Sequence, residues 1–181
     1  MEFSNCGVGF VTSLKQELSH DILISGLTAL KNVEHRGGTD RSGKVGDGSG
    51  IMTNIPWELF GKDKEKYAVA TLFAPKQKDL FEKAIKIFEK TFEHYNLIIE
   101  SYRDVPLNES ALEASTIKSA PRIVQAFILR PPHCRTHNSF NELLYMAKQM
   151  VRSKQNREGL KNALYFTSLS SRTIVYKAMA T

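Results

Sequence analysis

The sequence predicts one layered domain of mixed helical and strand structure, either α/β or α+β. Apolar residues follow a strand pattern near the N-terminus, a helical pattern next, and both kinds of pattern again further along the chain. The 181 residues, 41% of them hydrophobic, suffice to bury one core without disulfide bridges. Because no internal repeat, low-complexity segment or linker interrupts the chain, we expect a single domain and leave the choice between the two classes open.

The first third of the chain contains strand, helix and loop signals in that order. Residues 6–14, CGVGFVTSL, predict a strand broken by glycine. Helical spacing follows Ser19, a suitable N-cap, and Gly37 and Gly38 predict where that helix ends. A glycine-rich loop then leads to a short strand, IMTNI, and to PWELF, where Pro56 suits the first turn of a brief helix.

The remaining two thirds of the chain contain stronger patterns of helices and strands. The segment YAVATLFAP is apolar on both faces, which predicts a buried central strand. Residues 76–95 predict a long amphipathic helix that packs through Leu80, Phe81, Ala84, Ile85, Phe88 and Phe92. We expect next a helix within NESALEAST, a strand over RIVQAFILRP, a helix over SFNELLYMAKQMVRSKQ, and two strands that turn near Ser170 and Ser171.

Composition and charge argue against several classes of protein. The N-terminus lacks a basic region followed by an apolar stretch, and no window approaches the roughly 20 apolar residues that cross a bilayer. The net charge of +6 is spread along the chain and mixed with acidic residues, which disfavours a nucleic-acid partner without closing that alternative. Two cysteines in unlike contexts indicate no disulfide framework. We therefore expect a cytoplasmic protein with no membrane or nucleic-acid partner.

Cys6 is the first candidate reactive residue. A cysteine beside glycine is usually a small buried hydrophobic residue. If residues 1–5 were removed, however, Cys6 would carry both a thiol and a free α-amino group. That amine has an ordinary pKa of about 7.7–8, so it could accept the thiol proton at neutral pH. In the uncut chain the same nitrogen belongs to an amide, and this base does not exist.

The loop HRGGTDRSGKVGDGSGI is the second candidate. It has six glycines in seventeen residues, a composition that allows positive φ angles and close approach to an anion. It matches neither the P-loop nor the dinucleotide-binding spacing. Arg36 could bind a carboxylate through its guanidinium, or it could interact with carbonyl groups at the helix end, and the sequence leaves both roles open.

The segment HCRTH contains three side chains that can bind zinc, the imidazoles of His133 and His137 and the thiol of Cys134. Structural zinc sites usually need four ligands, often in two spaced pairs, and no second pair is present. Two prolines precede the segment and polar residues follow it, which favours a surface loop over a metal site. We also find no Ser/His/Asp triad that spacing would bring together.

Four segments in order resemble the start of the glutaminase domain of the glutamate synthase large subunit: CGVGFV, SHDILISGLTALKNVEHRGGTD, GDGSGIMTNIPWELF and SLSSRTIVYKAM. That domain is a class II glutamine amidotransferase and an N-terminal-nucleophile hydrolase. The resemblance implies an α+β fold, a four-layer α-β-β-α sandwich. It also implies a propeptide over residues 1–5 and an amidotransferase domain over residues 6–181, with Cys6 as nucleophile. Arg36, Gly37, Asp47 and Gly48 fall in the family's substrate-pocket loop.

The implied reaction releases ammonia from L-glutamine through a cysteinyl thioester. In the family, ammonia then meets 2-oxoglutarate in a separate domain with FMN and an iron–sulfur cluster, so we expect no cofactor in this chain. The expected partner is the remaining part of the large subunit, or its separate chains. The family's oxyanion-binding Asn-Gly pair and its carboxylate-binding Arg fall beyond Thr181, so we expect a domain that is incomplete at its C-terminus. The alternative is a catalytically incomplete fragment, or a non-enzymatic subunit that pairs with another chain.

Overall fold

The computed structural model describes residues 7–15, 19–33, 48–108 and 114–178. The elements run in the order α1 (His20–Asn32), β1 (Ser49–Asn54), α2 (Trp57–Phe60), β2 (Tyr67–Ala74), α3 (Lys78–His94), β3 (Ile98–Asp104), α4 (Ala114–Ser119), β4 (Arg122–Leu129), α5 (His137–Arg157), β5 (Tyr165–Ser170) and β6 (Thr173–Ala178). Contacts divide the chain into two compact units. The sheet unit comprises Asn54–Leu107 and Ala120–Val175, and the N-terminal unit comprises Met1–Thr53, Asn108–Ser119 and Tyr176–Thr181.

A four-stranded sheet, in the order β3-β4-β2-β5, forms the centre of the sheet unit. Its three strand pairings are all antiparallel. Antiparallel pairing combined with helices is typical of the α+β class, so the structure decides between the two classes that the sequence patterns left open. Strand β2 has neighbours on both sides and is almost fully buried, which confirms the predicted central strand.

Helices α3 and α5 pack on one face of this sheet. Small side chains on the strands, such as Ala68, Ala70 and Ala126, are fully buried, and their small size lets the helices approach closely. The ring of Phe88 on α3 lies 4.3 Å from the ring of Phe92 and 5.7 Å from that of Phe166. The core also includes Leu72, Ala84, Ile128, Phe140, Leu144, Ala147 and Val151. Of the residues predicted to pack from α3, Ala84, Phe88 and Phe92 are buried, and Phe81 and Ile85 pack on the core while partly buried. Leu80 is half-buried and is not part of this core.

Helix α1 begins where the sequence predicts but ends earlier. Ser19 is the N-cap, and its hydroxyl accepts a hydrogen bond from the backbone N–H of Asp21 at 3.1 Å. The helix ends at Asn32, whereas Gly37 and Gly38, predicted to end it, lie outside the described residues. In the second half of the chain, α4 occupies Ala114–Ser119, a few residues later than the predicted helix.

The predicted N-terminal strand is wrong over its described part. Residues 7–13 have no regular secondary structure, and the side chains of Val8 and Phe10 are 92% and 91% exposed. A strand requires a neighbour that satisfies its N–H and C=O groups, and none of the described strands pairs with this segment. The local preference of valine and phenylalanine for strands does not replace that missing neighbour.

The C-terminal region contains two strands, as predicted, but they belong to different sheets. The turn lies at Ser171 and Arg172, between β5 and β6. Strand β5 is an edge of the four-stranded sheet, while β6 pairs with β1 in a two-stranded sheet. Among the helices of the described residues, none combines the length and apolar character that spanning a membrane requires.

Candidate active site

Gly48 is the one predicted site residue that the structure describes. Cys6, Arg36, Gly37 and Asp47 lie outside the described residues, so their predicted roles stay predictions. Gly48 stands directly before β1 with a φ of 95°. Because L side chains rarely adopt a positive φ, this position requires glycine. The expected contribution of Gly48 to the shape of the substrate pocket stays a prediction.

The elements at the two ends of the candidate loop contact each other within the N-terminal unit. Helix α1 ends shortly before the loop, and β1 begins shortly after it. A Cβ atom added to Gly26 of α1 would lie 3.4 Å from Cδ1 of Ile51 on β1. Helix α1, which precedes the segment with Arg36, Gly37 and Asp47, and strand β1, which follows it, therefore approach each other at Gly26 and Ile51.

A second glycine, Gly50, allows strand β1 to lie close to β6. A Cβ atom at Gly50 would lie 2.9 Å from the carbonyl oxygen of Tyr176. That distance is too short for a real Cβ atom, so Gly50 allows a close approach that alanine would prevent. The GDGSG segment therefore has structural reasons for two of its glycines, one for its φ angle and one for strand proximity.

The HCRTH segment does not form a surface loop at its cysteine. Cys134 is only 5% exposed and belongs to the core of the sheet unit, whereas His133 is exposed. The prolines led to the wrong expectation for Cys134, because the adjacent turn directs this side chain into the core. Burial raises the pKa of the Cys134 thiol, which disfavours the thiolate that a nucleophile or zinc ligand requires.

A serine, a histidine and a glutamate meet at the start of α5. His137 Nδ1 lies 2.9 Å from Ser171 Oγ, and His137 Nε2 lies 3.3 Å from Glu65 Oε2. This cluster could not be predicted from the sequence, because its members come from three distant segments. The available signal was the four-residue spacing of His137 and Asn141, which places both on one side of α5.

This cluster holds a turn in place and does not resemble a working hydrolase. Ser171 is only 2% exposed, so a substrate carbonyl cannot reach its hydroxyl. Its backbone N–H donates to Asn141 Oδ1 at 2.9 Å, so it is not available to stabilise an oxyanion. We conclude that His137 and Asn141 of α5 anchor the turn between β5 and β6.

The described ranges also bear on metal and cofactor binding. These ranges contain no group of three or more His, Cys, Asp or Glu side chains that could hold a metal ion. Cys134 is the one cysteine among them, and it is buried. An iron–sulfur cluster is held by several cysteine thiolates, so the described residues do not fit such a cluster.

The sequence profile of the class-II glutamine amidotransferases matches residues 6–181. The chain belongs to this family. The matched region begins at Cys6 and extends to the last residue, so it includes every predicted site residue. Membership in the class-II glutamine amidotransferases places the chain in the N-terminal-nucleophile hydrolase fold, which agrees with the α+β architecture described above.

Curated relatives of this amidotransferase chain are glutamate synthases. It is 34% identical over 184 residues to ferredoxin-dependent glutamate synthase 2 of Arabidopsis thaliana and 36% identical to the Spinacia oleracea enzyme, in each case over 96% of this chain and 11% of the relative. It is 33% identical to the glutamate synthase [NADPH] large chain of Bacillus subtilis, over 99% of this chain and 12% of the relative. The chain therefore spans about a tenth of the length of these relatives.

Proposed function

We propose that this chain is the glutamine-hydrolysing part of a glutamate synthase. The observation that carries this proposal is the family match over residues 6–181, which begins at Cys6. The similarity to glutamate synthases over nearly the whole chain, at 33–36% identity for the plant and Bacillus relatives, supports the synthase context. The proposed product is ammonia for the formation of glutamate from 2-oxoglutarate.

In the proposed reaction the thiol of Cys6 attacks the side-chain amide carbon of L-glutamine. A carbon–sulfur bond forms, the carbon–nitrogen bond breaks, and the nitrogen leaves as ammonia with the proton that the thiol gave up. Water then hydrolyses the glutamyl thioester and restores the thiol. Because the α-amino group of Cys6 is the proposed base, the reaction requires removal of residues 1–5.

The proposed substrate pocket lies in the loop that carries Arg36, Gly37, Asp47 and Gly48. We propose that Arg36 lies near the bound glutamine in this pocket, whereas the family's carboxylate-binding Arg is a different residue. The other three residues would shape the pocket without reacting. The positive φ of Gly48 supports this proposal, because it requires a glycine at the end of the loop.

The remaining components of a synthase would lie outside this chain. We propose that FMN and an iron–sulfur cluster belong to the domain where ammonia meets 2-oxoglutarate. That domain would be the remaining part of the large subunit, or a separate chain that binds this one. The proposed location is cytoplasmic, and neither a nucleic acid nor a membrane is part of the proposed function.

Ammonia release from L-glutamine tests the nucleophile. We expect the Cys6→Ala variant to lose the activity, and a Cys134→Ala variant to keep it, because Cys134 is a buried core residue. Comparison of these two variants separates the loss of the Cys6 thiol from the general effect of removing a cysteine. Equal rates in wild type and Cys6→Ala would refute the assignment of Cys6, and absence of release from correctly processed wild type would favour the non-enzymatic partner subunit.

Intact mass measured on the same samples tests the processing step. The active fraction should have lost residues 1–5 and should begin with Cys6. Full activity in a sample that retains Met1 would rule out the α-amino group of Cys6 as the base. The two measurements together distinguish an unprocessed chain from a processed chain with another nucleophile.

A further inference from the structure

A row of polar residues crosses the face of the four-stranded sheet that lies opposite α3 and α5. The strand register pairs Arg103 of β3 with Gln125 of β4, Gln125 with Thr71 of β2, and Thr71 with Ser168 of β5. Directly paired residues of a regular ladder point to the same face of the sheet, and Thr71 and Ser168 form the last such pair before the β2–β5 register shifts at Leu72. The row is buried at its centre, where Gln125 is 0% exposed and Thr71 is 2% exposed.

Arg103 fixes the orientation of the Gln125 amide. Its Nη1 donates to Gln125 Oε1 at 2.8 Å. A guanidinium group can only donate hydrogen bonds, so the oxygen of the amide must face Arg103 and the nitrogen must face elsewhere. The two hydrogens on Gln125 Nε2 therefore need an acceptor other than Arg103, and the neighbouring strand β2 presents Thr71.

Both central atoms lack a partner within the part of the chain that the structure describes. Gln125 Nε2 and Thr71 Oγ1 are buried side-chain atoms without a hydrogen bond there. A buried amide nitrogen and a buried hydroxyl are costly when unpaired. Directly opposed residues on an antiparallel pair have Cβ atoms about 5 Å apart, a separation at which one small molecule can bridge polar groups that do not meet directly.

We propose that Gln125 and Thr71 bind one buried water molecule between them. The water accepts an N–H from Gln125 and donates to Thr71 Oγ1. Ser168 supplies a third partner, because its oxygen accepts the N–H of Val175 at 3.2 Å and its hydroxyl hydrogen can be donated to the water. Buried waters typically make about three such bonds, and the guanidinium of Arg103 nearby disfavours a cation in the same place.

The proposed water joins the side chains of three strands across the centre of the sheet. Arg103 already connects β3 to β4 through the Gln125 amide. The water extends this connection to β2 and β5, so that the hydrogen-bonded row spans all four strands. This water site does not depend on the proposed glutaminase reaction, and the two proposals are tested separately.

Crystal structures of the full chain and of two Thr71 variants test this site. Wild type and Thr71→Ser, which keeps the hydroxyl, should show one density peak within hydrogen-bonding distance of Gln125 Nε2 and the residue 71 hydroxyl. Thr71→Val, which replaces the hydroxyl with a methyl group of similar size, should lose the peak. A wild-type structure with no such peak, or one in which another side chain fills the position, would overturn the proposal.

Thermal unfolding of the same proteins provides a second test. If the water is present, Thr71→Val should lower Tm, because the water is lost with the hydroxyl and Gln125 Nε2 is left buried without an acceptor. If the hydroxyl is buried without any partner, the valine should leave Tm unchanged or raise it. An unchanged or raised Tm would therefore overturn the proposal, and this measurement needs no crystals of the variant.

Discussion

At the scale of single residues, burial determines which side chains can react. Cys134 carries a thiol and Ser171 a hydroxyl beside a histidine, and both belong to residue types that serve as nucleophiles. Their exposures of 5% and 2% keep a substrate away from each of them. Their roles in the described structure are packing for the thiol and hydrogen bonding for the hydroxyl, which leaves Cys6 as the proposed nucleophile.

Asp104 gives a prediction at the same scale. Its carboxylate accepts two hydrogen bonds from Arg122, from Nε at 2.7 Å and from Nη2 at 2.9 Å. These bonds lower the pKa of Asp104 below its ordinary value of 3.8, so the pair stabilises the fold above that pH and is lost as the carboxylate is protonated below it. Both side chains are largely exposed, which limits the contribution to about 1 kcal/mol.

We therefore expect Asp104→Asn to lower the free energy of unfolding by up to about 1 kcal/mol at neutral pH. The difference from wild type should shrink as the pH falls below 3.8, where wild type loses the same charge. Urea unfolding across that range measures it, with Glu142→Gln on α5 as a control for the removal of one acidic group. A difference that stays constant with pH would show that the ion pair is not its source.

At the scale of elements, the start of α5 depends on a capping box. Thr136 Oγ1 accepts from the backbone N–H of Ser139 at 3.1 Å, and Ser139 Oγ accepts from the backbone N–H of Thr136 at 3.3 Å. We expect Thr136→Ala to reduce the free energy of unfolding by about 1 kcal/mol, because it leaves one of these N–H groups without a partner. Thr136→Ser keeps the hydroxyl and should retain most of the stability in urea unfolding. Equal losses in the two variants would point to the methyl group of threonine instead.

The elements that were predicted correctly are those whose pattern of apolar residues can be recognised within one short segment of the sequence. Strand β2 is apolar on both faces, and α3 has an apolar side at helical spacing, so both could be recognised from neighbouring residues. The failed prediction over residues 7–13 depended on a neighbouring strand, which local preference cannot supply. Likewise, nothing local indicates that β5 and β6 join different sheets across a turn of two residues.

The prediction of the candidate site depended on four sequence segments that occur in the same order as in the amidotransferase family. The chemical properties of the single residues contributed less to it. Residue patterns alone did not decide whether Cys6 is a buried core residue or a nucleophile. They also did not decide whether Arg36 binds a carboxylate or interacts with carbonyl groups at the helix end. The match to the amidotransferase family over residues 6–181 confirms the family that the motifs indicated, and the roles of Cys6 and Arg36 stay predictions. The cluster of Glu65, His137 and Ser171 could not be predicted, because only the fold brings these residues together.

At the scale of the whole molecule, burial is distributed unevenly between the two units. In the sheet unit, β2 and β4 each contain five consecutive buried residues, and α3 and α5 each bury one side. In the N-terminal unit, α1 has no buried residue, and Ile24 and Leu27 are 47% and 42% exposed. Segments with few buried apolar contacts open locally at a lower free energy than core segments.

Hydrogen exchange should reveal this difference in the intact chain. We expect the amide hydrogens of α1 to exchange at least about tenfold faster than those of α5, after correction for intrinsic rates. Helix α5 is the matched control, because it has the same backbone hydrogen bonding and a polar outer side but buries Phe140, Leu144 and Val151. Strands β2 and β4 should be the slowest, since they exchange only when the core opens. Equal protection of α1 and α5 would mean that α1 is stabilised by contacts beyond those its exposure indicates, and the uneven distribution of stability inferred from burial would then be wrong.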